Sequence, residues 1–237
     1  MAAMAVTDAA GEAVQRRRII RDALSIGLAV GTYGIAFGAA SVAAGLTVLQ
    51  SALLSMLAFT GGTQFAVVGV LAGGGTGVSA VSSGLLLGAR NTLYAVRLRP
   101  LLGGRGPGRW LAAHGTIDET TAMAVAQPTP ALSRAAFWWT ACSVWLGWNT
   151  ATLLGAFGAN ALGDPARFGL DAVIPAAFLA LLAPRLRAGP VERRVALLAG
   201  LVALVLIPLT PPGVPVLAGT AGLLAAVYIP RRVSQRG

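Results

Sequence analysis

Three polar groups interrupt an otherwise apolar sequence, and each offers a different chemistry. The first is Thr60-Gly61-Gly62-Thr63-Gln64, in the middle of an apolar run. Glycine costs about 1 kcal/mol per residue inside a helix, so two adjacent glycines with polar neighbours predict an unwound point. Backbone freed this way is tolerated at membrane depth only where it is buried in protein or lines a wet cavity. The half-helix ends can then hold a zwitterion, with a positive helix N-terminus facing its carboxylate. Gln64 and the two threonines add neutral hydrogen bonds. The structural alternative is a glycine-rich packing point with Gln64 bonded to a neighbouring helix.

The second group is Arg90-Asn91, with Tyr94 one turn on. An arginine at the bilayer centre costs at least about 2.5–3.5 kcal/mol. Arg90 either pairs with an acid or a substrate carboxylate, or snorkels to the interface. The third is Asp118-Glu119-Thr120. Adjacent carboxylates in a semi-polar helix suit proton or ion coupling, or a substrate amine; in a solvated loop they are ordinary surface charge. Asp171 is expected to cap a helix, and Pro175 to kink one.

The elements that position these groups follow from composition. Of 237 residues, 56% are hydrophobic and 11% charged, and mean hydropathy is +0.74. An ordinary soluble domain is roughly 25% charged. Between Asp22 and Arg90 there is no Asp, Glu, Arg, Lys or His over 67 residues. A bilayer needs only about 20 residues of helix. These runs predict an all-α polytopic membrane protein with six to eight membrane segments, at least one of them broken or re-entrant. Residues 1–22 form a polar tail, disordered or interfacial; 23–230 form one transmembrane domain; 231–237 form a basic tail.

The first segment, about Leu24 to Gly45, carries Gly27, Gly31, Gly34, Gly38, Ser41 and Gly45 at spacings that keep one helical face. Small residues let helices approach closely in lipid, so this face is expected to pack on another helix. The broken region spans about Val48 to Leu71, and Gly73–Gly77 makes a turn. Further segments run about Val78–Leu98, Ala135–Ala159, Gly169–Pro184, Val195–Leu209 and Val214–Pro230, with a tight turn at Pro211-Pro212-Gly213. Residues 110–126 are too polar to face lipid but long enough to line a cavity. Ala36-Phe37-Gly38-Ala39 recurs as Ala156-Phe157-Gly158-Ala159, and Gly45-Leu46 as Gly169-Leu170, offsets of 120 and 124 that suggest an internal repeat.

Net charge is +10, and every basic residue is arginine, a composition read as that of a GC-rich bacterial genome. The arginines cluster at the ends of apolar runs, a topology signal rather than a nucleic-acid footprint. They place the N-terminus in the cytoplasm. Arg97–Arg109 falls inside if the broken segment re-enters, which the rule mildly favours. Otherwise the broken segment spans, and 110–126 spans back. Trp138, Trp139, Trp145 and Trp148 suit interface anchoring and helix packing. Cys142 stands alone, and His114 has no second histidine to join in binding a metal. Neither a phosphate-binding loop nor a nucleophile–base pair appears. No cofactor and no metal is expected.

The motifs resemble the AzlC family of branched-chain amino acid permeases. The family's Phe-(small)-Gly-(small)-Ser-Gln-Phe is similar to Phe59-Thr60-Gly61-Gly62-Thr63-Gln64-Phe65. Its Arg-His-x-Leu-Tyr is similar to Arg90-Asn91-Thr92-Leu93-Tyr94, and its Asp-Glu-Thr to Asp118-Glu119-Thr120. Its Gly-Leu-Asp-x-x-x-Pro-Ala-x-Phe is similar to Gly169-Leu170-Asp171, Pro175-Ala176 and Phe178. Thr63 replaces a serine and Asn91 a histidine, which removes a titrating group at the second position. The resemblance implies export of valine, leucine, isoleucine or analogues across the cell (inner) membrane by a non-enzyme. It also implies a partner, the small AzlD-type membrane subunit. A scaffold subunit without a site of its own is the alternative. A membrane-embedded enzyme using Asp118 and Glu119 is a more distant one.

Overall fold

The computed structural model describes residues 2–103, 106–162, 167 and 172–221. The expected cap at Asp171, the Gly169-Leu170 repeat, Arg105, and the end of the last segment with the tail after it lie outside these residues. Among the described residues every regular element is helical. One helical stretch, Gly11–Ala43, is long and apolar enough by itself to cross a bilayer; Val48–Leu57 and Gly61–Ala72 are apolar but short. Polar groups lie within an apolar interior, and large apolar side chains cover much of the surface. Ser41, Ser51, Ser55, Gln64, Thr120 and Thr152 are buried, while Leu28, Leu57, Val78, Leu85, Leu93 and Leu154 stand exposed. Apolar surface outside and hydrogen-bonded polar groups inside is the arrangement lipid selects.

Two long helices form the spine. Helix α1 (Ala2–Ala43) and α8 (Pro130–Ala161) lie side by side and parallel. Ser143 Oγ donates to the Ala23 carbonyl at 2.7 Å. Further along, Gly31 meets Gly147, Gly34 meets Ala151, and Gly38 meets Thr152 and Ala156. The expected small-residue face of α1 does pack on another helix. Its counterpart on α8 is Ser143, Gly147, Ala151, Gly155, one small residue every four. A Cβ built on Gly34 would stand 2.8 Å from the Trp148 carbonyl oxygen, and one on Gly38 2.7 Å from the Ala156 nitrogen, so backbones touch where side chains would otherwise hold them apart. The polar N-terminal stretch from Ala2 continues into α1, and Ile19 packs with Leu132 and Ala136.

The expected interruption is present, but it falls just before the two glycines, which are themselves helical. Helix α2 (Val48–Leu57) and α3 (Gly61–Ala72) are separated at residues 58–60. A reciprocal Thr47–Gln50 capping box starts α2. Ser51 then bonds Ser41 near the end of α1, and Ser55 bonds Asn149 lower on α8, so α2 runs antiparallel to the spine. Helices α4 (Gly77–Gly88) and α5 (Arg90–Leu102) join through Ala89, itself in helical conformation. They descend as one rod, and Leu98 reaches Phe137 and Ala141 at the start of α8. Helix α3 is antiparallel to this rod: Gly62 faces Leu87 and Arg90, while Thr63 and Val67 face Gly84. Since the rod runs against α8, α3 runs with it. The chain therefore folds back at 58–60, making a hairpin of half-helices.

Residues 110–126 form a second such hairpin instead of one helix. Helices α6 (Gly108–His114) and α7 (Asp118–Val125) are interrupted at 115–117. The interruption packs against the first, with His114 stacked on Phe59 at 5.6 Å and Ile117 in one cluster with Phe59 and Trp148. The far end of α7 returns to the Leu98–Phe137 cluster through Ala124. The two hairpins thus enter from opposite ends of the molecule and meet tip to tip.

Helix α9 (Val173–Ala188) descends beside α3, with Ile174 and Phe178 on Gly69. Pro175 lies in its first turn, where proline is tolerated; the expected kink is not there. Helix α10 (Pro190–Leu206) returns, and the turn ending at Gly213 packs on Ser79 and Val70 ahead of α11 (Val214–Ala218). Gly213 has φ +97°, a conformation that glycine adopts without strain. These directions gather Arg16–Arg18, Arg21, Arg97, Arg99, Arg109, Arg134, Arg185, Arg187, Arg193 and Arg194 at one end. Among the described arginines, only Arg90 and Arg167 lie elsewhere. The offset-120 repeat matches the register of α1 against α8, but its second copy turns different residues inward: Ala156 and Ala159 are buried while its phenylalanine is not. Phe37 is fully buried, and Phe157 is 60% exposed.

Candidate functional site

The meeting point of the hairpins brings most of the expected residues together. The Arg90 guanidinium, at the junction of α4 and α5, pairs with Asp118 at 3.0 Å. It also lies against the start of α3, 3.3 Å from where a Gly62 Cβ would be. Both α3 and α7 therefore point their positive N-terminal ends at one locus. They are furnished differently. Helix α7 carries Asp118 and Glu119 in its first turn, which matches its dipole. Helix α3 begins with bare Gly61 and Gly62, and the Thr60 side chain does not cap it. One end thus presents carboxylates to a cation. The other presents backbone N–H groups and a guanidinium to an anion.

Three polar atoms here are buried without a hydrogen-bond partner: Arg90 Nε, Asn91 Oδ1 and Asp118 Oδ1. Such groups cost about 1–3 kcal/mol each when unpaired, and they persist where a site is retained for function. Tyr94 sits one turn below Arg90, beside Asp118. Glu119 is half-buried and within charge reach of both Asp118 and Arg90. Thr63 places its methyl against Gly84, and its hydroxyl neighbours Gly88 and the Thr60 hydroxyl.

Gln64 sits apart from this locus, on the other face of α3. It is fully buried. Its amide nitrogen donates to the Ser55 carbonyl at 3.2 Å and the Ala58 carbonyl at 2.9 Å. Its oxygen accepts from Trp148 Nε1 at 2.8 Å. The side chain thus satisfies the carbonyls left open where α2 stops, a need created by the break itself. Gln64→Ala removes three hydrogen bonds and leaves Trp148 Nε1 unpaired. It should lower stability by about 3 kcal/mol, read as an earlier unfolding midpoint in detergent. Trp148→Phe, which keeps the ring and loses one bond, should cost less. Equal midpoints for Gln64→Ala and the unaltered chain would refute this role.

Several residues were not read as part of a site in the sequence. Trp148 is a core residue, 5% exposed, stacked on Phe37 and bonded to Gln64. Trp138 and Trp139 are surface-exposed, as interface anchoring requires. Ser55, Asn149 and Thr152 form a buried chain of hydrogen bonds joining α2 to α8. Their signal is polarity inside an apolar run, weak for serine and threonine, which satisfy themselves on their own helix. Cys142 is exposed on α8.

The chain also matches known proteins. The AzlC protein family model matches residues 25–162, which hold both hairpins and every residue of the locus. The chain is 29% identical over 170 residues to inner membrane protein YgaZ of Escherichia coli (strain K12), covering 68% of this chain and 69% of that protein. No solved structure matches. With the match spanning more than half of its length, the chain belongs to the AzlC family of membrane proteins.

Proposed function

We propose that this protein is the large subunit of a secondary transporter that exports branched-chain amino acids, valine, leucine, isoleucine or analogues. It works with a small membrane subunit of the AzlD type. The observation that carries the reading is the convergence of two half-helix N-termini on the Arg90–Asp118 pair. An α-amino acid is itself a carboxylate and an ammonium a few ångströms apart. Its carboxylate suits the bare start of α3 with Arg90; its ammonium suits Asp118 and Glu119. Arg90 and Asp118 pair with each other, and a bound substrate would exchange that one ion pair for two. Asp118 and Glu119 are then the groups that couple proton or ion movement to transport. Gln64 holds the break in place, and Thr60 to Thr63 form the start of α3 that receives the carboxylate.

The arginine-rich end faces the cytoplasm in this reading, with the N-terminus. Helices α1, α4–α5, α8, α9 and α10 cross fully, and each hairpin re-enters from its own side to the middle. The final segment starts at α11 and continues beyond the described residues. The test is co-reconstitution with the small subunit in proteoliposomes. Valine or leucine loaded inside should leave under an imposed ion gradient, faster than from vesicles lacking the large subunit. Absence of amino acid movement under every ion gradient would overturn the proposal.

A further inference from the structure

We propose that the arginine-rich end carries a binding site for the phosphate of an anionic phospholipid, in the cleft between α1 and the start of α8. The cleft has a volume of about 330 Å³. Arg16 of α1 and Arg134 of α8 line it from its two walls, together with Trp138 and Trp139 of α8. Both arginines are exposed. The ion pairs among the described residues are Arg21–Asp22 and Arg90–Asp118, so neither Arg16 nor Arg134 is neutralised by a described carboxylate within pairing distance. Glu12, the acid in the lining, leaves the cleft one net positive charge, matched to a phosphodiester carrying one negative charge.

The vertical order of these groups is that of a lipid headgroup. Arg134 and Trp138 are four residues apart on α8, so they share a face and the indole stands about 6 Å deeper along the helix. A phosphate lies outermost in a phospholipid, and the glycerol and ester region, where indoles concentrate, lies just below it. Trp138 is held by an edge contact with Phe137 at 5.1 Å, and Phe137 is fully buried. The two walls come from the two helices whose seam forms the spine, so an occupant bridges α1 to α8. Arg97 and Arg99, also at this end, do not line this cleft, although they serve the same topological signal.

The experiment melts the purified full chain in neutral detergent with added phosphatidylglycerol, phosphatidylcholine or inorganic phosphate. Phosphatidylglycerol should raise the midpoint saturably, by ~5 °C over phosphatidylcholine. R16Q combined with R134Q should lose most of that difference, whereas R97Q combined with R99Q should keep it. If the first pair melts early in phosphatidylcholine, the difference between the two lipids within that variant is the reading. Equal midpoints in the two lipids would overturn the proposal. So would a difference retained by R16Q/R134Q. A shift reproduced by inorganic phosphate alone would overturn the lipid as the source and leave a soluble anion.

Discussion

Gly38→Val should leave almost no stable protein in the membrane, while Gly158→Val should be close to neutral. The two glycines sit in identical tetrapeptides, Ala36–Ala39 and Ala156–Ala159. A Cβ on Gly38 would overlap the Thr152 carbonyl oxygen and stand 2.7 Å from the Ala156 nitrogen. Those are backbone atoms of a rigid helix and have no rotamer by which to yield. Relief requires α1 and α8 to separate, which opens the seam at Gly31, Gly34 and Gly155 as well. It would also move Phe37 away from Trp148 and Phe65, on which it packs. Overpacking a well-fitted interior costs about 1–3 kcal/mol, occasionally more; a seam made of backbone belongs at the upper end. A Cβ on Gly158 meets nothing within 4 Å. Membrane abundance and detergent melting of the two variants check this. Equal behaviour would mean that the spine is not packed as described.

The same pair shows what was legible in the sequence. The spacing of Gly27, Gly31, Gly34 and Gly38 identified a packing face, because 3.6-residue periodicity is local. What it packs on was not legible: α8 lies a hundred residues away, and its small residues are scattered among alanines. That a break lies in this run was legible for a similar reason, but its place was off by a few residues: the two glycines open helix α3, and the chain leaves the helix at 58–60. Its direction was not legible. A run broken in the middle has the same hydropathy whether its halves are collinear or folded back. Only Ser51 against Ser41, Ser55 against Asn149, and Gly84 against Thr63 separate the cases. The arginines at Arg97–Arg109 pointed the same way, weakly. The second hairpin was less legible still, because Thr116, Asp118 and Thr121 make residues 110–126 read as one polar element. Trp148 illustrates the limit for single residues. The four tryptophans of this segment read alike as anchors or packing residues, and only the fold shows Trp148 packed inside with Trp138 and Trp139 at the surface.

The hairpins also explain why buried polarity is so unevenly distributed. A continuous transmembrane helix satisfies its own backbone, so α1 needs only small residues along its face. A helix that stops mid-way leaves carbonyls and amides open. At 58–60 the carbonyls are met by Gln64 and the amides of α3 are left facing Arg90. At 115–117 the Thr120 hydroxyl donates to the Gly115 carbonyl and accepts from the Ile117 amide. Each break therefore has one well-satisfied side and one side turned toward the Arg90–Asp118 pair. The satisfied sides fix position, and the others are available for a ligand.

Arg90→Gln should reduce amino acid flux by about 100-fold, the loss expected when a charged hydrogen bond to a substrate carboxylate is removed. Asp118→Asn should do the same from the ammonium side. The structural contribution is separated by combining them. Each single change leaves one charge without its partner at 3.0 Å, so each should also destabilise the chain somewhat. The double variant Arg90→Gln/Asp118→Asn has no orphaned charge, and amide can bond amide across the same gap. It should melt later than either single variant yet remain inactive, because neither end of the zwitterion finds an ion. Flux and melting thus move in opposite directions from single to double variant, a pattern that a purely structural ion pair does not give. Near-normal flux in the double variant would remove Arg90 and Asp118 from the transport site and leave them as a clamp between the hairpin tips. Since Asn91 and Glu119 share this locus, Asn91→Ala and Glu119→Gln provide the graded comparison. Glu119→Gln should alter the dependence on the ion gradient more than the apparent affinity for the amino acid, since it leaves Asp118 to hold the ammonium.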